Sequence, residues 1–128
     1  MATRELFIKK FRGLPLGQIT NQSSFEEKFQ NETLRPILKL QNDLLIKTFQ
    51  LYLNQNKINF SNYSIERKIK TIELAILKDI QFQNLIKGMV LGLFTLDEFS
   101  QYSTNTSGFN KRIRLMLIER LQSQLQLF

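Results

Sequence analysis

The segment LRPILKLQNDLLIKTFQLYLNQ, residues 34–55, contains the strongest fold information in the chain. On a helical wheel at 100° per residue, its apolar side chains cover about two thirds of the circumference. The remaining polar strip is formed by Lys39, Asp43, Lys47 and Gln50. A surface helix has a narrower apolar face than this. The segment therefore predicts a helix buried on most sides, either in the middle of a bundle or across a subunit interface.

Cap signals separate further helical segments along the rest of the chain. Ser64 is the predicted N-cap of a helix whose isoleucines repeat at three or four residues, and Thr95 with Glu98 forms a capping box. A loop at residues 103–108 precedes the last helix, and nothing alternates with the period of two that strands require. The sequence therefore predicts an all-α fold, an antiparallel bundle of about five helices. It forms a single helical domain over residues 23–128.

Residues 1–22 are predicted to be an irregular N-terminal arm. Gly13, Pro15 and Gly17 interrupt any regular element there, and the apolar side chains alternate with basic ones. The arm is interpreted either as a basic anchor for a membrane or nucleic acid, or as a strap packed on helices of this chain or of a neighbouring subunit. The strap is favoured, because phenylalanine and leucine in a solvated arm would form an exposed apolar patch.

The composition excludes several classes of function. The chain of 128 residues has no cysteine and no histidine, so disulfides, thiolate or imidazole metal sites and Ser-His or Cys-His nucleophile pairs are excluded. Carboxylate, lysine or tyrosine chemistry has no spaced motif behind it, so the sequence argues against an enzyme and no cofactor is expected. There is no secretory apolar region and no run long enough to span a bilayer, which predicts a cytoplasmic protein.

The net charge of +7 raises the alternative of a nucleic-acid-associated accessory protein. Such a protein would bind phosphates through basic clusters, although no helix-turn-helix or RNA-module motif is present and the clusters equally suit wet helix faces. Nucleic acid is therefore a possible partner that is not favoured. The candidate phosphate contacts are Lys9, Lys10, Arg12, Arg67, Lys68, Lys70, Lys111, Arg112 and Arg114.

Three polar residues, Gln41, Asn42 and Thr48, fall inside the apolar arc of the segment 34–55. Buried amides and hydroxyls must be hydrogen-bonded, and such groups often fix the register of packed helices. We therefore predict that these three side chains are buried polar groups that set helix register. A pocket for a small polar ligand is the alternative interpretation.

Two spacings in the sequence could indicate a functional site, but each also has a structural explanation. Gly88 and Gly92, one turn apart, let two helix backbones approach closely, and their soluble flanks favour close packing inside the bundle. Lys39, Asp43 and Lys47 stand at successive i, i+4 positions, which favours a solvated face with weak ion pairs over a catalytic Lys–Asp pair.

The favoured function is a non-enzymatic, self-associating helical protein that serves as a structural or interaction partner. One five-helix chain would struggle to cover both the apolar segment 34–53 and the wide apolar face of the last helix. A homodimer or a higher homo-oligomer would cover them. The predicted self-association residues are Ile46, Phe49, Leu53, Leu115 and Ile118.

Several short stretches resemble a bacterial family, the short all-helical proteins of the Bacteroidetes whose function is unknown. The stretches are Arg35–Asp43, Lys78–Ile80, Lys87–Met89, Asn110–Arg112 and Ile118–Leu121. Some of those proteins carry the label glyoxalase. The glyoxalase fold resembles paired βαβββ modules that hold a metal with His and Glu ligands, whereas this chain has no histidine and no strand pattern. The resemblance therefore implies a helical family and supplies no catalytic residues.

Overall fold

A computed structural model describes residues 3–13 and 24–128, and the predicted all-α fold is confirmed over these residues. Within 24–128, five α-helices have eight or more residues, as the sequence predicted. A five-residue helix α2 and a π-helical turn, Gln30–Leu34, lead into the longest helix, and two 3-10 turns, Phe60–Asn62 and Leu125–Leu127, follow later. The α-helices are α1 Thr3–Arg12, α2 Phe25–Phe29, α3 Arg35–Gln55, α4 Ile65–Lys78, α5 Ile80–Leu91, α6 Leu96–Ser103 and α7 Thr106–Gln122.

Helix α3 is the centre of the bundle, and its most buried ring is that of Phe49. Phe49 has no exposed surface. Its ring centroid lies 5.6 Å from that of Phe60, 6.0 Å from that of Phe82 and 5.1 Å from that of Phe128. The core therefore joins α3 to the turn after it, to α5 and to the end of the chain.

Helices α3 and α5 run antiparallel. Gln41, early in α3, donates to the carbonyl oxygen of Met89, late in α5, at 3.0 Å. Tyr52, late in α3, packs its ring 4.4 Å from that of Phe82, early in α5. Since the position on α5 moves backwards as α3 advances, the two helices have opposite directions, as predicted for neighbours in this bundle.

Side-chain caps decide where most of the helices begin. Ser64 accepts from the amide of Arg67, as predicted, and the capping box of Thr95 with Glu98 is present with both of its hydrogen bonds. Asp79 caps α5 through the amide of Phe82 at 3.1 Å and breaks an isoleucine stripe that continues through it. Asn105 caps α7 at Thr106, so the predicted loop over 103–108 is mostly helical instead.

The connector between α3 and α4 packs inwards through its apolar residues. Phe60 is buried, and Ile58 and Tyr63 are half-buried against the core. These three side chains pack on the core and close the end of α3.

The prediction of an irregular arm was wrong for residues 3–12, which form α1. Its residues Arg4, Ile8 and Arg12 recur every four positions, so one helical face turns inwards. Ile8 is buried, and Arg4 donates to the carbonyl oxygens of Phe94 and Gly92 at 2.9 and 3.2 Å. Packing on this chain's own helices is one of the two forms of strap predicted. The predicted breaks at Pro15 and Gly17 lie outside the described residues.

Candidate interaction surface

Four of the five predicted self-association residues lie in the core of the single chain. Ile46, Phe49, Leu53 and Ile118 are buried, so they cannot meet a second copy without unfolding. The reason is that the end of the chain folds back over α3: Leu127 accepts from Gln50 at 3.0 Å, and the Phe128 ring packs on Phe49. Leu115, on α7, is 50% exposed and is the one member of the set at the surface.

A different stripe of α3 reaches the surface. Leu40, Leu44 and Leu51 fall within about 40° of each other on the helical wheel. Between 45% and 54% of each residue is exposed. The sequence contains these leucines at helical spacing, but it predicted a single wide buried arc that included every apolar residue of α3. Hydrophobic periodicity alone does not separate a covered leucine from an uncovered one.

Helix α5 continues the same surface. Leu51 and Leu85 line one groove together with Thr48, between α3 and α5. Leu85, Gly88 and Gly92 then lie within about 60° of each other around α5, and all three are exposed. We call this surface the leucine face, defined by Leu40, Leu44 and Leu51 of α3, by Leu85 and Gly88 of α5 and by Gly92, the C-cap of α5.

The two glycines do not pack inside the bundle, so that prediction was wrong. A Cβ atom added at Gly88 would meet nothing within 4 Å, and at Gly92 it would meet the carbonyl oxygen of Gly88 at 3.1 Å. The backbone of α5 is thus bare on the leucine face, where another helix can approach it closely.

The three polar residues of α3 lie at seams between helices. Gln41 donates to the carbonyl oxygen of Met89, and the Thr48 hydroxyl contacts the Met89 sulfur at 3.8 Å. Asn42 instead donates to Gln124 at 2.9 Å and accepts from Arg120 at 3.1 Å. All three are half-buried and hydrogen-bonded. Gln41 and Thr48 therefore contact α5, whereas Asn42 contacts residues 120 and 124. These contacts fix the register of α3 against both neighbours.

The charged residues beside the leucine face lack the ion pairs that their spacing predicted. Among the residues that the structure describes, the salt bridges are Arg4–Glu5 and Arg12–Glu98, so Lys39, Asp43 and Lys47 have none. Asp43 accepts only a long contact from Asn42, at 3.4 Å. These three charges are exposed and remain available to a partner.

The predicted phosphate contacts are distributed over three helices. Arg12 is not available, because its side chain is 5% exposed and is paired with Glu98. Arg67 stacks on the Tyr63 ring at 3.8 Å, and Lys68 lies 5.6 Å from the centre of the Phe60 ring. One groove contains Arg67 and Lys70 of α4, and a separate groove contains Lys111 and Arg112 of α7. The remaining members lie at the surface or half-buried: Lys9, Lys10, Lys70, Lys111, Arg112 and Arg114.

A buried ion pair, Arg12–Glu98, was not found from the sequence. The Arg12 guanidinium donates through both terminal nitrogens to the Glu98 carboxylate, with 2.6 Å for Nη2–Oε2. The Thr33 hydroxyl and the Thr95 amide each donate to the same carboxylate at 2.8 Å. The capping box revealed Glu98, but its partner is 86 residues away and has no local signal.

The charge state of Glu98 follows from these contacts. Burial raises the pKa of its carboxyl, but the hydrogen bonds from Arg12, Thr95 and Thr33 outweigh burial and hold the pKa below its ordinary value. The carboxylate is therefore fully ionised at neutral pH. With both oxygens already bonded inside the fold, its role is to hold α1 and α6 together.

No helix in the described ranges is long and apolar enough to cross a membrane. Over the same residues, no three carboxylates come together in a way that could hold a metal ion.

The described residues form a bundle of helices, which places the molecule in the all-α class. No protein-family model, no curated protein and no solved structure matches the chain significantly. The resemblance to short helical proteins of the Bacteroidetes stays a prediction.

Proposed function

We propose that this protein is a non-enzymatic helical interaction protein that self-associates through the leucine face. The observation that supports it is the set of half-exposed leucines, Leu40, Leu44, Leu51 and Leu85, beside the bare backbone of α5. Single exposed leucines are ordinary on a protein surface, whereas apolar side chains grouped on one face mark an interaction site. The proposal replaces the predicted interface residues with ones that are accessible in the folded chain.

Charge complementarity favours a second copy of the same chain as the partner. In a two-fold dimer, each residue of one copy meets the symmetric residue of the other. If two α3 helices pack antiparallel about an axis beside Leu45, Asp43 faces Lys47 of the second copy, and the symmetric pair repeats the contact. Neither Asp43 nor Lys47 has a salt bridge among the residues that the structure describes.

The first prediction concerns Leu44→Glu. Fully burying a leucine stabilises by about 1.5–3 kcal/mol, and Leu44 is 54% exposed, so each copy loses about half of this. The symmetric interface loses it twice, so the dimer should weaken by about tenfold or more. Size-exclusion chromatography with light scattering should give the mass of two chains for the wild type and of one chain for the variant.

Leu115→Glu is the matched control for this experiment. Leu115 is 50% exposed and Leu44 is 54% exposed, so the two substitutions perturb the folded chain similarly. We expect Leu115→Glu to keep the wild-type mass. A dimer that dissociates with Leu115→Glu but survives Leu44→Glu would place the interface on α7, and a monomeric wild type would refute self-association.

The second prediction concerns Gly88→Ala at concentrations where the chain is monomeric. Alanine stabilises a helix interior by about 0.5–1 kcal/mol relative to glycine, and the new Cβ meets nothing within 4 Å. Urea unfolding should therefore show a more stable monomer. A less stable monomer would show that the α5 backbone is already covered within one chain, which contradicts the leucine face.

The nucleic-acid alternative receives no comparable support from the geometry. Arg12 is paired within the fold, and the other basic residues lie on separate helices. The chromatography described for Leu44→Glu also tests it, because the chain has no tryptophan and three tyrosines. Bound nucleic acid would dominate the absorbance ratio and would be lost at high salt.

A further inference from the structure

A groove of about 730 Å³ lies along the outward face of α4. It shares Tyr52, Asp79 and Gln81 with the groove between α3 and α5 but contains no residue of the leucine face. Its walls come from the end of α3, the connector before α4 and the start of α5. Ligand pockets commonly have volumes of about 300–1,000 Å³, with mostly apolar walls and a few polar groups that converge on the ligand. The groove matches this description in size, and four aliphatic side chains share its lining with charged and polar ones.

The rim of the groove is cationic. Arg67, Lys70 and Lys78 all line it, and on α4 they lie within about 80° of one another around the helix. None of the three has a salt bridge to any carboxylate that the structure describes. The Arg67 guanidinium is held 3.8 Å above the Tyr63 ring, and both residues line the groove.

The floor of the groove is apolar. Leu74 and Ile80 line it and are 46% and 60% exposed, and the less exposed Ile58 and Ala75 also line it. Water against these aliphatic side chains is unfavourable, so a chain or ring that covers them gains free energy. An inorganic phosphate or a nucleic-acid backbone would satisfy the rim and leave this floor uncovered.

Asp79 is the carboxylate of the lining, and it is already engaged. It accepts from the amide of Phe82 at 3.1 Å as the N-cap of α5. It also accepts from the Tyr52 hydroxyl, and burial together with the Asp79 charge raises the pKa of that hydroxyl. The groove consequently keeps a positive excess, with three cations against one carboxylate.

We propose that this groove binds an organic anion with an aliphatic chain, its carboxylate or phosphate head on Arg67 and Lys70 and its chain along Leu74 and Ile80. The head forms charge-assisted hydrogen bonds with the guanidinium and the ammonium. The chain covers the aliphatic floor. Both a free fatty acid and an anionic membrane lipid have this chemistry. The proposal does not depend on self-association, because its residues are distinct from those of the leucine face.

The test is calorimetric titration of the full chain with decanoate, kept at concentrations where decanoate is monomeric. We expect saturable binding at one site. Acetate, which has the head without the chain, should bind at least about tenfold more weakly. Decyltrimethylammonium, which has the chain with the opposite charge, should not bind at the site.

Arg67→Gln with Lys70→Gln should weaken decanoate binding by about tenfold or more, since both partners of the head are lost. The matched control is Lys111→Gln with Arg114→Gln, which removes the same two residue types at the same spacing on α7 and should leave binding unchanged. Arg67→Lys with Lys70→Arg keeps both charges and should keep binding, which separates lost recognition from lost folding.

Vesicles of phosphatidylglycerol and phosphatidylcholine distinguish the two sources of the ligand. Co-sedimentation that Arg67→Gln/Lys70→Gln abolishes and decanoate displaces would assign the groove to a membrane lipid. Decanoate binding without co-sedimentation would assign it to a free acid. The proposal is overturned if decanoate does not bind, if decyltrimethylammonium binds equally, or if the α7 control loses as much affinity as the groove variant.

Discussion

Glu98→Gln is expected to lower the free energy of unfolding by about 3–5 kcal/mol, the usual cost of removing one partner of a buried ion pair. The substitution keeps the side-chain shape and leaves the Arg12 guanidinium without its counter-charge, at a side chain that is 5% exposed. The substitution also weakens the hydrogen bonds that the Thr95 amide and the Thr33 hydroxyl donate to residue 98, because a neutral amide accepts less strongly than a carboxylate. Urea unfolding followed by circular dichroism measures the difference.

Glu119→Gln is the control for this prediction. Glu119 is an exposed carboxylate on α7 without a salt bridge in the described chain, so its substitution should change the stability by less than about 0.5 kcal/mol. An equally small effect of Glu98→Gln would show that the Arg12–Glu98 ion pair does not hold α1 in place.

The same pair predicts a pH dependence. The pKa of Glu98 is lower in the folded chain than in the unfolded chain, so the unfolded state takes up its proton first as the pH falls. The stabilisation is complete above the unfolded value of about 4.3 and is lost as the pH falls through the folded value. The stability difference between wild type and Glu98→Gln should therefore shrink below about pH 4. A difference that stays constant there would contradict this assignment.

Phe49→Ala should also cost about 3–5 kcal/mol, the range for removing a buried phenylalanine ring and leaving a cavity. Phe49 has no exposed surface and packs against the rings of Phe60, Phe82 and Phe128. Because these contacts lie within one chain, the loss measured by urea unfolding should be the same at all protein concentrations. A loss that shrinks as the protein is diluted would instead place Phe49 at an interface, because dilution dissociates a wild-type oligomer.

Leu115→Ala provides the comparison for Phe49→Ala, since the sequence assigned both residues to self-association. Leu115 is half-exposed, so its truncation should cost less than about 1 kcal/mol. The contrast between the two variants measures how differently the fold uses two residues with the same sequence pattern.

Local chemistry explains what the sequence could predict about the fold. Ser64 and Thr95 place helix starts because a cap acts within four residues, and the apolar pattern of 34–55 gives α3 with its correct end at Gln55. The irregular arm failed for a related reason. Helix-breaking residues act only locally, and Gly13 does lie outside α1. The prediction applied their effect to residues 3–12, which come before them and form a helix.

Contacts between distant parts of the chain explain what could not be predicted. The wide arc of α3 is covered by residues 125–128, whose 3-10 turn has no strong local signal. Arg12 and Glu98 were each noticed, one as a phosphate contact and one as a cap, and only the folded chain pairs them. The leucine face differs from the core by its lack of a neighbour, which periodicity does not encode.

The distance between Arg12 and Glu98 along the chain also has a consequence for the order of events during synthesis. Helix α1 leaves the ribosome 86 residues before its counter-charge exists. Until α6 has been made, burying the Arg12 guanidinium would cost its hydration free energy without an ion pair in return, so the side chain stays in water. Helix α1 is therefore among the last elements to dock, so a nascent chain stalled before Glu98 should expose α1 to proteases and chaperones.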